Sequence, residues 1–206
     1  MRNPQSRAGI LVAAGTIFAR AGLAGARVDG IAAAAGVNKA LLYYYFGSKQ
    51  ALFEAVIEDH FGDFNRRALA ALGAPGSARA ALLRYVSLHM DFISERHRLA
   101  PLFGQLTMTG GKFLRRVIRK YFAARGQALG QLLERGVRGG EFRRVDVFQT
   151  SMSIISLIVF YFSAAQILKM LGHRDAYSRS NLKRRKQEVL DLVRHGLFTD
   201  SSFSLP

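Results

Sequence analysis

The sequence predicts an all-α protein of about nine helices, in which three short N-terminal helices precede a larger helical part. Apolar residues recur with helical spacing over long stretches, and no convincing pattern of alternating strand residues interrupts them. Proline, which breaks helices, occurs only at positions 4, 75, 101 and 206. Half of the 206 residues are apolar, which is enough to bury a sizeable core and argues against disorder.

The N-terminal part is predicted to contain three helices before a fourth, longer one. The first helix stops at Gly22, because glycine commonly ends helices. Its apolar face consists of Ile10, Leu11, Ala14, Ile17, Phe18 and Ala21. Two short helices follow at 28–35 and at about 39–45. Gly47 then interrupts the pattern, and the hydroxyl of Ser48 can cap the fourth helix.

The remainder of the chain is predicted to form further helices of greater length. A connector rich in small residues spans 73–77, and Ser77 can cap the helix that follows it. Pro101 ends that helix, and a short segment lies between it and Gly110. The predicted helices are 77–98, 113–137, 146–171 and 180–197.

The charge of the chain favours a polyanionic partner, either nucleic acid or an acidic membrane surface. The formal net charge is +16 and the isoelectric point is near 11.0. Residues 1–50 hold six basic residues and a single acid, Asp29, so they carry +5 of that charge and the rest of the chain carries +11. The charge alone therefore does not locate a binding face, and a basic protein with solvated surface arginines remains an alternative.

Several function classes are disfavoured by composition and motif. The chain has no cysteine, which excludes disulfides, thiolate chemistry and cysteine zinc sites. It shows no HExxH, P-loop or G-x-S-x-G motif and no credible pair of carboxylates, so we predict neither an enzyme nor a metal or cofactor site. The polar N-terminus lacks the apolar stretch of a signal peptide, and we predict a cytoplasmic protein.

The segment 28–49 has the layout of a helix-turn-helix, with two short helices joined by a tight turn. Ala32 is small enough to let the helices cross closely, and Gly36 can adopt the positive φ that ends the first helix. The predicted inner face consists of Ile31, Val37, Leu42 and Phe46. The opposite face of the second helix is then free to enter a DNA major groove.

The free face of the second helix supplies the predicted contacts to DNA. Its residues are Asn38, Lys39, Ala40, Leu41, Tyr43 and Tyr44. Ala40 and Leu41 can contact thymine methyl groups, while polar side chains bond to base edges or phosphates. Lys49, in the first turn of the fourth helix, is predicted to bind a phosphate, because a cation beside the positive end of a helix needs an anion.

These residues resemble the DNA-binding domain of the TetR (tetracycline repressor) family. The family pattern of I-A, A-G-V, L-Y-x-[HY]-F and S-K is matched by Ile31-Ala32, Ala35-Gly36-Val37, Leu42-Tyr43-Tyr44-Tyr45-Phe46 and Ser48-Lys49. The resemblance implies a helix-turn-helix domain at 1–50 and a helical ligand-binding and dimerisation domain at 51–206. It also implies that Tyr43 and Tyr44 face bases and sugars, and that Tyr45 contacts phosphate.

Two positions depart from the family pattern. Arg27 stands where the family usually has Thr or Ser, so the oxygen cap of the first motif helix is missing at a cost of roughly 1 kcal/mol. Asp29 can offset part of this through the helix dipole, and Arg27 can instead reach a phosphate. Gly30 stands where a stronger helix former is usual.

The resemblance also implies a dimer formed by the last two long helices. The predicted dimer contacts are Met152, Ile155, Val159, Val189, Val193 and Leu197. A pocket for a small-molecule effector is expected as well, with ordinary core packing as the alternative for each of its residues. The predicted ligand-binding residues are Leu102, Phe103, Met108, Phe113, Tyr121, Phe122, Phe160 and Tyr161.

The leading hypothesis is a ligand-responsive regulator, in most cases a repressor, that binds palindromic operator DNA as a dimer. The alternative is a basic helical protein that associates with membranes or binds DNA nonspecifically. Residues 147–168 form 22 uncharged residues, which is long enough to span a bilayer. Seven polar residues interrupt this stretch, so we predict no membrane span.

Overall fold

The computed structural model describes residues 7–173 and 175–199, except the side chains of 165 and 166. The parts of the predictions that concern 1–6, 174 and 200–206, including the polar N-terminus, lie outside the described residues. Within the described ranges the chain is helical, and its only β feature there is an isolated bridge between Phe142 and Phe198. The predicted all-α fold is confirmed.

The helices are named in chain order. They are α1 Arg7–Gly25, α2 Val28–Ala35, α3 Lys39–Phe46, α4 Lys49–Gly73, α5 Ala78–Glu95, α6 Leu102–Thr109, α7 Gly111–Val117, α8 Ala124–Arg138, α9 Val147–Ser163, α10 Ala165–Met170 and α11 Arg179–Leu197. A short 3-10 helix, His97–Leu99, precedes α6, and a π-helical segment, Ile118–Ala123, joins α7 to α8.

Three predicted helices differ in continuity from the observed ones. Helix α1 continues past Gly22, which kinks it with φ 66° and ψ 179° instead of ending it. The helix predicted at 113–137 is interrupted by the π-helical segment. The helix predicted at 146–171 is broken at Ala164, one residue after Ser163 bonds back to the Val159 carbonyl at 3.1 Å. Such bonds compete with the helix's own ladder and bend it.

The first of two compact units contains α1–α3, the N-terminal half of α4, α6 and α7, from the described residues 7–63 and 98–121. Its core is formed by fully buried side chains from several of these helices, including Ile10, Phe18, Ile31, Leu42 and Phe53. The rings of Phe18 and Phe53 meet edge to face at 5.1 Å. The unit therefore extends beyond residue 50.

Helix α1 is long and apolar enough to cross a membrane, judged by length and composition alone, and in the described part of the chain it alone meets that test. The apolar side of α1 is buried within the protein, because Ile10, Ala14 and Phe18 have no exposed surface. We therefore interpret α1 as the central core helix of the first unit.

The second unit combines residues 64–97 with the described residues from 122 to 199, in which α5, α8, α9 and α11 pack together. The turn before α9 is tied to the start of α5. The Glu141 carboxylate accepts hydrogen bonds from the backbone N–H groups of Ala78 and Arg79, at 2.9 and 3.0 Å. The Phe142 ring stacks on Phe198 at 5.4 Å. These contacts join segments that are far apart in the sequence.

Candidate nucleic-acid interface

The turn between α2 and α3 has the predicted geometry. Gly36 adopts the left-handed conformation, with φ 65° and ψ 32°, and its N–H donates to the Ala33 carbonyl at 3.1 Å. The Val37 N–H donates to the Ala32 carbonyl at 3.0 Å. This pair of bonds is the usual way in which a helix ends at a left-handed glycine. The glycine at position 36 therefore meets a backbone requirement of the motif.

The inner face of the motif is anchored as predicted. Ile31 and Leu42 are completely buried, Phe46 is buried and Val37 is half-buried. Ala32 is also buried, in keeping with a close approach of the two helices. Helix α3 is thus held from one side, and its other side is free.

The outer face of α3 is aromatic and accessible. Tyr44 is 82% exposed, and Tyr43 and Tyr45 are 41% and 39% exposed. The rings of Tyr44 and Tyr45 meet edge to face at 5.5 Å. Ala40 is exposed and Leu41 half-buried on the same short helix. The structure therefore brings these predicted DNA-binding residues together on one surface, and their contacts to DNA stay a prediction.

Asn38 has a structural task that the sequence analysis did not assign to it. Its Oδ1 accepts a hydrogen bond of 2.7 Å from the Leu41 N–H, which makes it the N-cap of α3. Its amide nitrogen and the second lone pair of Oδ1 are then left for DNA. Asparagine is among the preferred N-cap residues, so this role was visible in the sequence.

Lys39 is paired within the motif. Its Nζ lies 3.0 Å from the Asp29 carboxylate of α2, and both side chains are largely exposed. The hydrogen bond and the charge of Asp29 raise the pKa of Lys39, so the lysine stays protonated. Asp29 therefore has a second role besides its expected effect on the helix dipole, because it forms an ion pair with Lys39, a predicted DNA-binding residue.

Lys49, which was predicted to bind a phosphate, is already hydrogen-bonded within the chain, and its phosphate contact stays a prediction. Its ammonium donates to the backbone carbonyls of Ala24 and Ala26, at 3.3 and 3.1 Å. These carbonyls lie at the end of α1 and just beyond it, so Lys49 ties α4 to α1. An ammonium has three N–H donors, which leaves one for a phosphate. The contacts span more than 20 residues and no local pattern shows them.

The start of α4 and the start of α2 behave as predicted. The Ser48 hydroxyl accepts from the Ala51 N–H at 3.1 Å and caps α4. Arg27 precedes α2 with an extended backbone and without a side-chain cap bond. Its side chain is exposed, as a phosphate contact requires.

The predicted ligand-binding residues do not share one environment. Leu102, Phe113 and Tyr121 are buried and belong to the first unit. Met108 in the first unit and Phe160 in the second are 83% and 67% exposed, so they lie at the surface of the protomer, and a ligand contact of either residue stays a prediction.

The other three predicted ligand-binding residues are partly exposed or half-buried. Phe103 is 42% exposed, and Phe122 is half-buried. Tyr161 is half-buried, and its hydroxyl donates a hydrogen bond of 2.7 Å to the Ala176 carbonyl.

Half of the predicted dimer contacts require correction. Val189, Val193 and Leu197 of α11 are buried in the core of their own chain and cannot face a partner. The one-sided apolar stripe of α11 was correctly recognised, but the sequence does not show that it packs inward. Met152 of α9 is 45% exposed, and Phe148 on the same helix, which was not predicted, is 67% exposed.

Comparison with known proteins covers both parts of the chain. The family described as "Bacterial regulatory proteins, tetR family" matches residues 10–56, and "Tetracyclin repressor-like, C-terminal domain" matches residues 79–193. The chain is 29% identical over 161 residues to the HTH-type transcriptional repressor NicS of Pseudomonas putida, covering 76% of each protein.

Two solved structures have a similar fold. One is a transcriptional regulator from Saccharomonospora viridis in complex with choline, with a TM-score of 0.74 and 21% identity over 94% of this chain and 98% of that one. The other is the transcriptional regulator FadR from Bacillus subtilis in complex with stearoyl-CoA, with a TM-score of 0.70 and 23% identity over 91% and 97%.

Proposed function

The chain belongs to the TetR family of bacterial transcription regulators, and from this premise we propose that it is a ligand-responsive repressor that binds palindromic operator DNA as a homodimer. The family consists of DNA-binding transcription factors and not of enzymes. The repressor assignment follows the similarity to a transcriptional repressor from Pseudomonas putida. We place its action in the cytoplasm, where bacterial operator DNA lies.

The observation that supports DNA reading most directly is the exposed aromatic face of α3. Tyr44 contributes nothing to the core, yet it sits on a helix whose opposite side is fully buried at Leu42. A short helix held in this way can enter a major groove, with tyrosine hydroxyls on phosphates and tyrosine rings against sugars and thymine methyls. Arg27, exposed at the start of the motif, adds positive charge, whereas the charge of Lys39 is balanced in part by Asp29.

A homodimer is supported by the exposed side of α9. Phe148, Met152, Ile155 and Val159 follow each other at helical spacing on one face. Phe148 and Met152 are well exposed, and Ile155 and Val159 are half-buried. Two copies of this face would bury each other around a two-fold axis, as family members pair their last long helices. Leu192 of α11, 53% exposed, is a further contact of the same kind.

An effector is supported by the two similar structures, which hold choline and stearoyl-CoA. We propose that a small molecule binds the second unit more tightly in a state that has low operator affinity. The effector then shifts the population toward that state and releases DNA.

The test is DNA binding by Tyr44→Ala, measured as fluorescence anisotropy of a duplex that the protein enriches from a random pool. We expect about a tenfold or greater loss of affinity with an unchanged melting temperature, because Tyr44 is accessible and carries no core contact. Val12→Ala is the matched control, since Val12 is 58% exposed on α1. Equal binding by Tyr44→Ala and the parent would refute the assignment of α3 as the reading helix.

A further inference from the structure

The core of the second unit contains an arginine without an acidic partner. Arg125 of α8 is only 7% exposed, and no ion pair joins it to a carboxylate among the described residues. Its guanidinium lies 4.8 Å from the ring centres of both Phe64 and Phe122. Arginine is rarely buried unless it is paired, so this position requires an explanation.

Two polar side chains of α5 are buried with Arg125. Tyr85 is fully buried and His89 is 4% exposed. The Tyr85 hydroxyl, His89 Nδ1 and Arg125 Nη1 are all inaccessible and have no hydrogen-bond partner. The His89 ring centre lies 4.3 Å from that of Phe64 and 5.7 Å from that of Tyr85, and Phe64 also contacts Arg125, so the three polar groups belong to one cluster. Unsatisfied groups of this kind are uncommon in protein cores and are more frequent at functional sites.

The cluster carries one positive charge at neutral pH. Burial, with a contribution from the charge of Arg125, lowers the pKa of His89 to about 3, so His89 is neutral. Burial raises the pKa of the Tyr85 phenol, which keeps its proton and can donate it to an acceptor. Burial lowers the pKa of Arg125, but a guanidinium remains charged in proteins.

We propose that Arg125 and Tyr85 form the recognition site for a small organic monocarboxylate with an apolar body. The guanidinium fork matches the two oxygens of a carboxylate, and one anion balances the single charge of the cluster. The Tyr85 hydroxyl supplies a further donor. The rings of Phe64 and Phe92, whose centres are 5.0 Å apart, provide an apolar surface beside it. This inference rests on the proposed function, because it assigns the chemical class of the effector.

Binding at this site has to move helices, since its polar atoms are covered. The π-helical segment Ile118–Ala123 ends two residues before Arg125. Such segments are irregular turns within helices and often occur at functional sites. The irregular backbone therefore lies next to the residue that would have to adjust its position when a carboxylate enters.

The experiment titrates the full-length protein with benzoate and hexanoate, each paired with its neutral amide. Thermal unfolding and calorimetry give the affinity in the absence of DNA. We expect at least one carboxylate to bind and to raise the melting temperature, and both amides to have no effect. If neither carboxylate binds more tightly than its amide, the proposal is overturned.

Variants identify the site. Arg125→Met should abolish carboxylate binding, and Arg125→Lys should weaken it about tenfold to hundredfold, because the bidentate fork is lost. Arg138→Met is the matched control, since Arg138 is an exposed arginine of the same helix, and it should bind like the parent. Carboxylate binding that survives in Arg125→Met would overturn the assignment.

The melting temperature of Arg125→Met separates a ligand site from a purely structural role. Replacement of an unpaired buried charge by an apolar side chain should leave it unchanged or raise it. A large decrease would show that Arg125 is a packing element and would overturn the proposal. Operator binding is measured separately. If a carboxylate binds through Arg125 but does not release DNA, the site is supported and the ligand-responsive repressor is refuted.

Discussion

Two glycines of the helix-turn-helix behave in opposite ways at the scale of single residues. Gly30 lies inside α2 with ordinary helical backbone, and an added methyl group would meet nothing within 4 Å. Gly36 has equally open surroundings, but its φ of 65° strains any other residue. A side chain would therefore fit at both positions, and the backbone conformation determines which glycine can be replaced without strain.

The first prediction compares alanine at these two positions. Gly30→Ala should increase the free energy of unfolding by about 0.5–1 kcal/mol, because alanine is the better helix former. Gly36→Ala should decrease it by about 1 kcal/mol, because an L-residue is disfavoured in the left-handed region. Urea denaturation of both variants checks this, and a change of the same sign at both positions would contradict it.

The second prediction concerns Lys49, which bonds to two backbone carbonyls near the end of α1. Lys49→Met should lower the free energy of unfolding by about 1 kcal/mol, because these charge-assisted bonds are lost. It should also reduce the salt dependence of DNA binding by about 0.9 in the log–log slope if the third N–H meets a phosphate.

The control for Lys49 is Lys39→Met, measured by thermal unfolding and DNA titration at several salt concentrations. Lys39 forms an exposed ion pair with Asp29, so its loss should leave the melting temperature unchanged. The preference of Lys39→Met for particular DNA sequences should change instead, because Lys39 is at the start of the reading helix. An unchanged melting temperature for Lys49→Met would show that its carbonyl contacts contribute nothing to the fold.

At the scale of elements, helix starts could be predicted well and helix interruptions could not. Ser48 and Ser77 cap α4 and α5 through their hydroxyls, at 3.1 Å in both cases, as their types and positions indicate. The π-helical segment and the break at Ala164 could not be predicted, because no proline or glycine marks either position. Their causes lie in packing and back-bonding and not in propensity.

Helix α5 has a second cap that comes from far along the chain. The backbone N–H groups of Arg79 and Ala78, both donating to Glu141, hold the pKa of its carboxyl below 4.5. Since the folded-state pKa is depressed, the carboxylate stabilises the fold above its unfolded pKa, and this stability is lost as pH falls through the folded pKa.

The third prediction follows from the lowered pKa of Glu141. Glu141→Gln should be less stable than the parent at neutral pH, and the difference should shrink on acidification below about pH 4.5. Urea denaturation over a pH series measures it. Glu134→Gln is the control, because Glu134 forms only an exposed pair with Arg138 at 3.9 Å. A difference for Glu141→Gln that stays constant into acid would rule out the charged cap.

At the scale of the whole molecule, binding to a palindromic operator requires two α3 helices held by one dimer. The fourth prediction places a charge on the α9 face: Phe148→Lys should convert the dimer to monomers, because the apolar face would have to bury an unpaired ammonium. Sedimentation equilibrium measures the mass. Val12→Lys, which changes an apolar residue of α1 that is also well exposed, should remain dimeric. A dimeric Phe148→Lys would exclude this face as the interface.

The DNA-reading motif could be predicted from sequence because its determinants are local. The turn glycine, the small alanine and the inner apolar residues all lie within 28–46, and each is where the spacing placed it. The contacts of Lys49 and the cluster around Arg125 could not be predicted, because they join distant segments. The same holds for α11, where Val193 is equally suited to an inner core or to a partner.

We propose above that the chain reads DNA as a symmetric pair of α3 helices. Selection of bound duplexes from a random pool, followed by sequencing, tests it most directly. We expect an inverted repeat whose half-site centres are separated by one helical turn, about 34–36 Å, or a multiple of it. Enrichment of an asymmetric site, or of no sequence at all, would contradict it.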